Sequence, residues 1–270
     1  MEFADEPPDD VSANGSSTWY VRGQNFVLAF TRLVAGDGLV RRGQCDEYVV
    51  LSLDGELAIN SGDESIAVSG TTFSTVPPGD SEICAVHDAS LVRLFDHRTA
   101  DLLDRSRNAT DYARPDERCT PLAPWPEPIG GHRLRSWAID DITEDPTRFG
   151  RIFRSRAFMV NFLHPQMGPR DSEALSPHHH DDFEQFSLVV QGTYVHHIRT
   201  PWTTRRSQWR EDEHRKVGSP SVTIIPPPTV HTSEAVGEGV NLMIDIFCPP
   251  RLDFSTKPGW VLNADDYPMP

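Results

Sequence analysis

His178-His-His-Asp-Asp-Phe-Glu-Gln-Phe-Ser-Leu-Val-Val-Gln-Gly192 is the stretch on which the reading of this chain turns. Side chains of an extended chain alternate between two faces, so His178 and His180 point one way and His179 the other. The apolar run that follows has the length and β-branched character of a strand, and Gly192 ends it as a turn residue. A fourth histidine, His231, comes after Pro226-Pro-Pro-Thr-Val. A His-x-His pair joined by one imidazole from a distant strand places three ring nitrogens around one divalent ion, with a carboxylate, amide or water completing the shell. Three adjacent histidines alone are as readily a solvated turn; the rest of the sequence has to decide.

An internal repeat does so. Glu47-Tyr-Val-Val-Leu-Ser-Leu-Asp-Gly55 matches Glu184-Gln-Phe-Ser-Leu-Val-Val-Gln-Gly192 in length, strand character and final glycine. Each is followed by an apolar strand running into prolines, Phe73-Ser-Thr-Val-Pro-Pro-Gly79 in the first copy and Val222-Thr-Ile-Ile-Pro-Pro-Pro228 in the second. Two matches in the same order indicate two copies of one β domain.

The histidine segment resembles the first motif of the cupin superfamily: HxH, a short spacer, usually Glu, then six residues and Gly. Pro226-Pro-Pro-Thr-Val-His231 resembles the second, P-x-G-x-x-H, with Pro228 in place of the glycine. The two motifs span only about twenty residues, but the strand pattern elsewhere agrees with them. The resemblance implies an all-β chain of two tandem jelly-roll barrels. It also implies a metal (Fe, Zn, Mn or Ni) held by His178, His180 and His231. The family's glutamate position, counted back from Gly192, falls on Gln185, while Glu184 fits a looser spacing. Glu47 stands in the place of Glu184 in the first copy, where Arg41, Gly43 and Glu82 replace the histidines. A glutamate present without ligands beside it points to a structural role, which favours Gln185. The first barrel, with Arg41, Gly43, Tyr48 and Glu82 at these places, is expected to be metal-free.

Composition agrees with this reading. Proline (23) and glycine (18) are frequent enough to punctuate many short strands, and residues 99–112 offer the one short helix. A net charge of −15 disfavours nucleic acid and anionic lipid as partners. Four separated cysteines (Cys45, Cys84, Cys119, Cys248) suggest free thiols in a reducing compartment. With no signal-like N-terminus and no apolar run of about 20 residues, a soluble, cytoplasmic protein is expected. The expected organisation is a loose lead-in (1–18), a degenerate barrel (19–115), a Pro-rich connector (116–132) and a metal-binding barrel (133–270).

Between turn glycine and prolines the second copy has 33 residues (193–225) against 21 (56–76) in the first. The excess carries Arg205, Arg206 and Arg210 interleaved with Trp202 and Trp209, either an anion-recognising loop over the barrel mouth or an interdomain or homodimer contact. Tyr194, His196 and His197 are candidate acid–base groups, with a satisfied core histidine an equal reading for whichever of the two points inward; Ser187 is as open. Three neutral imidazoles and an amide suit a Lewis-acid isomerase or lyase acting on a keto acid or sugar acid. A non-haem Fe(II) dioxygenase and a non-catalytic small-molecule binder are the alternatives.

Overall fold

The computed structural model describes residues 1–270. Ten strands come first: β1 Asp10–Val11, β2 Ser17–Arg22, β3 Phe26–Leu33, β4 Gly38–Gln44, β5 Tyr48–Ser52, β6 Glu56–Ser61, β7 Glu64–Ser69, β8 Thr72–Val76, β9 Gly79–Ala85 and β10 Ala89–Asp96. A short helix, α1 Ala100–Arg105, leads to β11 Arg135–Ala138, β12 Gly150–Arg154, β13 Met159–Leu163 and β14 Gln166–Met167. Then come β15 Gln185–Gln191, β16 Tyr194–Arg199, β17 Glu213–Val217, β18 Ser221–Ile225, β19 Val230–Ala235, β20 Val240–Phe247 and a last turn of helix, α2 Leu252–Ser255.

Four antiparallel sheets result. In the first half a seven-stranded sheet (β1-β2-β3-β10-β5-β8-β11) is accompanied by a four-stranded one (β4-β9-β6-β7). In the second half a six-stranded sheet (β12-β13-β20-β15-β18, with β14 on β20) is accompanied by a three-stranded one (β17-β16-β19). Each pair shares a core: Tyr48, Val50, Leu57, Ile59, Ile83 and Phe95 meet in the first barrel, and Val189, Tyr194, Val217, Ala235 and Met243 in the second.

The two large sheets are also packed back to back. Val49, Leu51, Val92 and Leu94 join Phe186, Leu188, Ile244 and Ile246 in one cluster of 24 buried residues. Alternate residues of β5, β10, β15 and β20 therefore enter a barrel or the seam between barrels. The seam-facing set is apolar on all four strands, whereas the barrel-facing set of β15 and β20 includes Gln185, Ser187 and Asp245. Gly55 and Gly192 end the paired strands β5 and β15 with positive φ (77° and 85°). A Cβ on Gly192 would lie 2.3 Å from Asn241 Oδ1, so the glycine of the repeat is required by space as well as by backbone.

The barrels exchange edges, which alters the expected boundaries. β11, assigned from sequence to the second barrel, pairs with β8 of the first (Arg135↔Thr75 to Ala138↔Thr72). Residues 1–18 are not loose: Phe3 is fully buried, its N–H bonds Pro220 O at 3.0 Å, and Glu2 bridges Ser221 beside β18. The Pro-rich connector lies along both barrels, with Trp125 buried under the Arg154 guanidinium and Thr120 N bonded to Asp182 O at 2.7 Å. Edge strands left open would expose unpaired N–H and C=O groups, and these exchanged segments cover them.

Candidate metal centre

β15 sets the polarity of the site. Phe186 and Leu188 face the seam, so Gln185 and Ser187 face the interior of the second barrel. His178 is brought opposite His231 by a bridge in which both backbone N–H groups donate to the partner carbonyl (3.0 and 2.7 Å). His180 lies on the same side two residues on, and His179 turns outward to Asp181. The result is a cluster in which one ligand atom from each of His178, His180 and His231 lies within 4.8 Å of the others. Two nitrogens bound to one ion at about 2.1 Å are at most about 4.2 Å apart, so small ring movements draw all three onto a shared ion.

The hydrogen bonds around the cluster fit a cation. His178 Nδ1 is 2.9 Å from Ser176 O and His231 Nδ1 is 2.9 Å from Thr229 O. Carbonyls only accept, so both rings carry the proton on Nδ1 and present a bare Nε2 to the interior. Gln185 is fixed as firmly. Its Nε2 donates to Ser187 Oγ and to Asp245 Oδ1, each at 2.9 Å, so Oε1 must face the histidines. Oε1 lies 2.8 Å from His180 Nε2 and 3.3 Å from His231 Nε2. The carbonyl oxygen and the unprotonated His231 nitrogen are both acceptors, and acceptors at that distance repel unless a positive charge lies between them. Burial holds His180 down to about 3 and His231 to about 4, so both are neutral and available as ligands near pH 7.

Glu184, the other candidate for the fourth position, faces away. Its carboxylate accepts Gln24 N–H at 2.6 Å and Tyr112 O–H at 2.7 Å across the seam, and burial raises its pKa. Glu47 repeats this arrangement, accepting the Tyr267 hydroxyl at 2.8 Å.

In the first barrel, strand register places Arg41 opposite Ser81, as His178 stands opposite His231. Ser61↔Ser81 and Leu57↔Ala85 likewise match Ile198↔His231 and Tyr194↔Ala235. The counterpart of His231 is therefore Ser81. Glu82, expected there from sequence, lies one residue on and points outward, because the first copy is one residue shorter between the prolines and this strand. Tyr48 fills the place of Gln185, stacked on Phe95 at 4.8 Å and bonded to Ser81 Oγ at 2.9 Å, while Arg41 pairs with Asp101.

A cavity of about 690 Å³ opens onto the histidines. Gln185, His178, His231 and Asp245 lie in its wall, with Leu163, Tyr194, Met243, Phe247 and Phe254 as apolar surface and Arg170 and Arg251 as cations. Asp245, pushed up to about 6 by desolvation, is a group that sequence reasoning missed. A lone carboxylate in the apolar strand Asn241-Leu-Met-Ile-Asp-Ile-Phe247 was the available signal. Of the proposed acid–base groups, only Tyr194 reaches the cavity, and burial raises its hydroxyl to about 12. His196 is wholly buried against Ser233 Oγ at 2.8 Å, outside the cavity wall. His197 faces outward to Glu234 and His214. Arg205, Arg206, Arg210 and Trp202 do not line the cavity. They sit on the exposed β16–β17 connection, closed at its base by Arg199 on Asp212, with Trp202 stacked on Trp209 at 4.6 Å.

No protein-family model and no curated protein matches this sequence. Solved structures do. AerE from Microcystis aeruginosa superposes with a TM-score of 0.59 at 9% identity, covering 87% of this chain and 93% of that one. Oxalate decarboxylase from Lactobacillus farciminis, solved as a formate complex, gives 0.57 at 11% identity over 87% and 81%. Bacillus subtilis oxalate decarboxylase, a protein with Mn(II) centres, gives 0.54 at 13% identity over 96% and 81%. The chain has the cupin fold in its two-barrel form.

Proposed function

We propose that this protein is a metal-dependent cupin enzyme acting on a small oxygenated anion, with isomerase- or lyase-type chemistry. The observation that carries the reading is the convergence of His178, His180, His231 and Gln185 Oε1, with His178, His231 and Gln185 in the wall of a cavity large enough for a small organic molecule. A divalent ion held by four neutral donors would keep its full charge for polarising a substrate carbonyl. The chain's own groups orient and enclose. Asp245 and Ser187 hold the Gln185 amide with its oxygen toward the histidines. A Tyr194 hydroxyl raised to about 12 stays protonated at neutral pH and serves as a hydrogen-bond donor to a substrate oxygen, not as a base. Leu163, Met243 and Phe247 give the cavity part of its apolar wall.

The test is turnover by metal-reconstituted protein, with Mn(II) the first ion to load, over a panel of keto acids and sugar acids in an oxygen electrode. Substrate loss without oxygen uptake, abolished in His231→Ala, is the expected result. Substrate loss coupled to oxygen uptake would replace this reading with the dioxygenase one, and no turnover across the panel with intact ligand binding would favour a binding protein.

A further inference from the structure

Two arginines line the cavity, and they are not equivalent. Arg251 is neutralised by a bidentate pair with Asp253 (2.7 and 3.0 Å) and stacks on Phe254 with its guanidinium carbon 3.7 Å from the ring centre. Arg170 has no carboxylate partner. Its guanidinium donates only to neutral acceptors: Ala174 O at 2.9 Å, Ser176 Oγ at 3.1 Å and Ser233 O at 3.3 Å. Those bonds hold it in place without cancelling its charge. Ser176 also ties it to the metal centre, because the Ser176 carbonyl is the acceptor for His178 Nδ1. In a chain of net charge −15, an arginine fixed at a cavity wall and left without a counter-ion is an anomaly with a functional sense. The same cavity wall also carries apolar and aromatic side chains, Leu163, Tyr194, Met243 and Phe149 among them.

Resting on the metal-enzyme reading above, we infer that Arg170 anchors the carboxylate of the substrate, and that the substrate is an organic acid with an apolar or aromatic body. Three of the five guanidinium N–H groups are engaged, which leaves the Nε–H and one Nη1–H for a carboxylate, and the cavity of about 690 Å³ exceeds what a two-carbon acid fills. The loop of Arg205, Arg206 and Arg210 has no part in this recognition.

The probe pair is benzoate and benzamide, equal in shape and different in charge, with acetate as the carboxylate lacking an apolar body. Calorimetric titration of metal-loaded protein is expected to show benzoate bound about ten- to a hundredfold more tightly than benzamide or acetate. Arg170→Gln should remove that preference and leave benzamide affinity and metal content unchanged, while Arg170→Lys should restore part of it. Equal binding of benzoate and benzamide by the wild-type protein would overturn the inference, as would loss of the preference in Arg251→Gln but not in Arg170→Gln. Repeating the titration on His231→Ala separates the two readings. An Arg170-dependent preference that survives without metal upholds the anchor even if the metal reading fails, and a metal-loaded protein that ignores charge refutes the anchor alone.

Discussion

Asp245 makes two contacts that decide the site: it accepts Gln185 Nε2 and Ser187 Oγ. An amide can present either end, and a carboxylate behind it selects the end that faces the histidines. Asp245→Asn offers the amide both a donor and an acceptor, so the orientation is no longer fixed. Metal affinity, measured by competition with a chelator, should fall about ten- to a hundredfold, and an unchanged affinity would remove Asp245 from the account. Glu184 predicts the opposite phenotype. Glu184→Ala leaves the Gln24 N–H and the Tyr112 hydroxyl without their shared acceptor in a buried seam. It should cost about 1–3 kcal/mol or more in denaturant unfolding while keeping the metal. Loss of metal with stability intact would reverse the roles of Gln185 and Glu184. That Gln185 and Glu184 face opposite sides was legible in the sequence, since one-residue alternation forces them apart. The two arginines of the cavity wall were not legible. Arg170 and Arg251 lie outside any motif, and only the folded chain shows which of the arginines meet the cavity.

Elements buried on both faces declared themselves through short runs rich in apolar residues, as in Tyr48–Leu51 and Phe186–Val189. Strands exposed along their length did not. β17, Glu-His-Arg-Lys-Val, is solvent-facing over its first four residues and carries no apolar period for a pattern search to find. β11 failed for a different reason: its strand character was evident, but nothing local says which barrel's edge it covers. The β16–β17 connection drew attention by composition, and the structure places it in solvent with its two tryptophans stacked on each other. Replacing residues 201–210 with a two-residue turn should leave metal stoichiometry and benzoate affinity unchanged. A fall in either would restore this loop to the site, whereas a shift in sedimentation alone would mark it as a contact between copies.

At the scale of the molecule, the largest apolar cluster belongs to neither barrel but joins them. Phe186 packs on Phe26 across the seam at 4.2 Å between ring centres, and Arg156 Nη1 of the second half donates to both carboxylate oxygens of Asp46 of the first, at 2.8 and 2.9 Å. The barrels should therefore unfold together. Scanning calorimetry is expected to give one transition, and Phe186→Ala, at a cost of about 3–5 kcal/mol, should lower it as a whole. Two resolved transitions, with only one shifted, would show the barrels to be independent. This fusion also explains how the first barrel persists with Tyr48 and Phe95 filling the place where the second has its ligands. Its seven-stranded sheet is half of the seam that supports the site.

Whether one ion is held by the second barrel alone is decided by elemental analysis after metal reconstitution and desalting. About one ion per chain is expected in the wild-type protein and in Glu82→Ala, and essentially none in the His178→Ala/His231→Ala double variant, provided circular dichroism shows that variant folded. Stoichiometric metal in the folded double variant would rule out the histidine site.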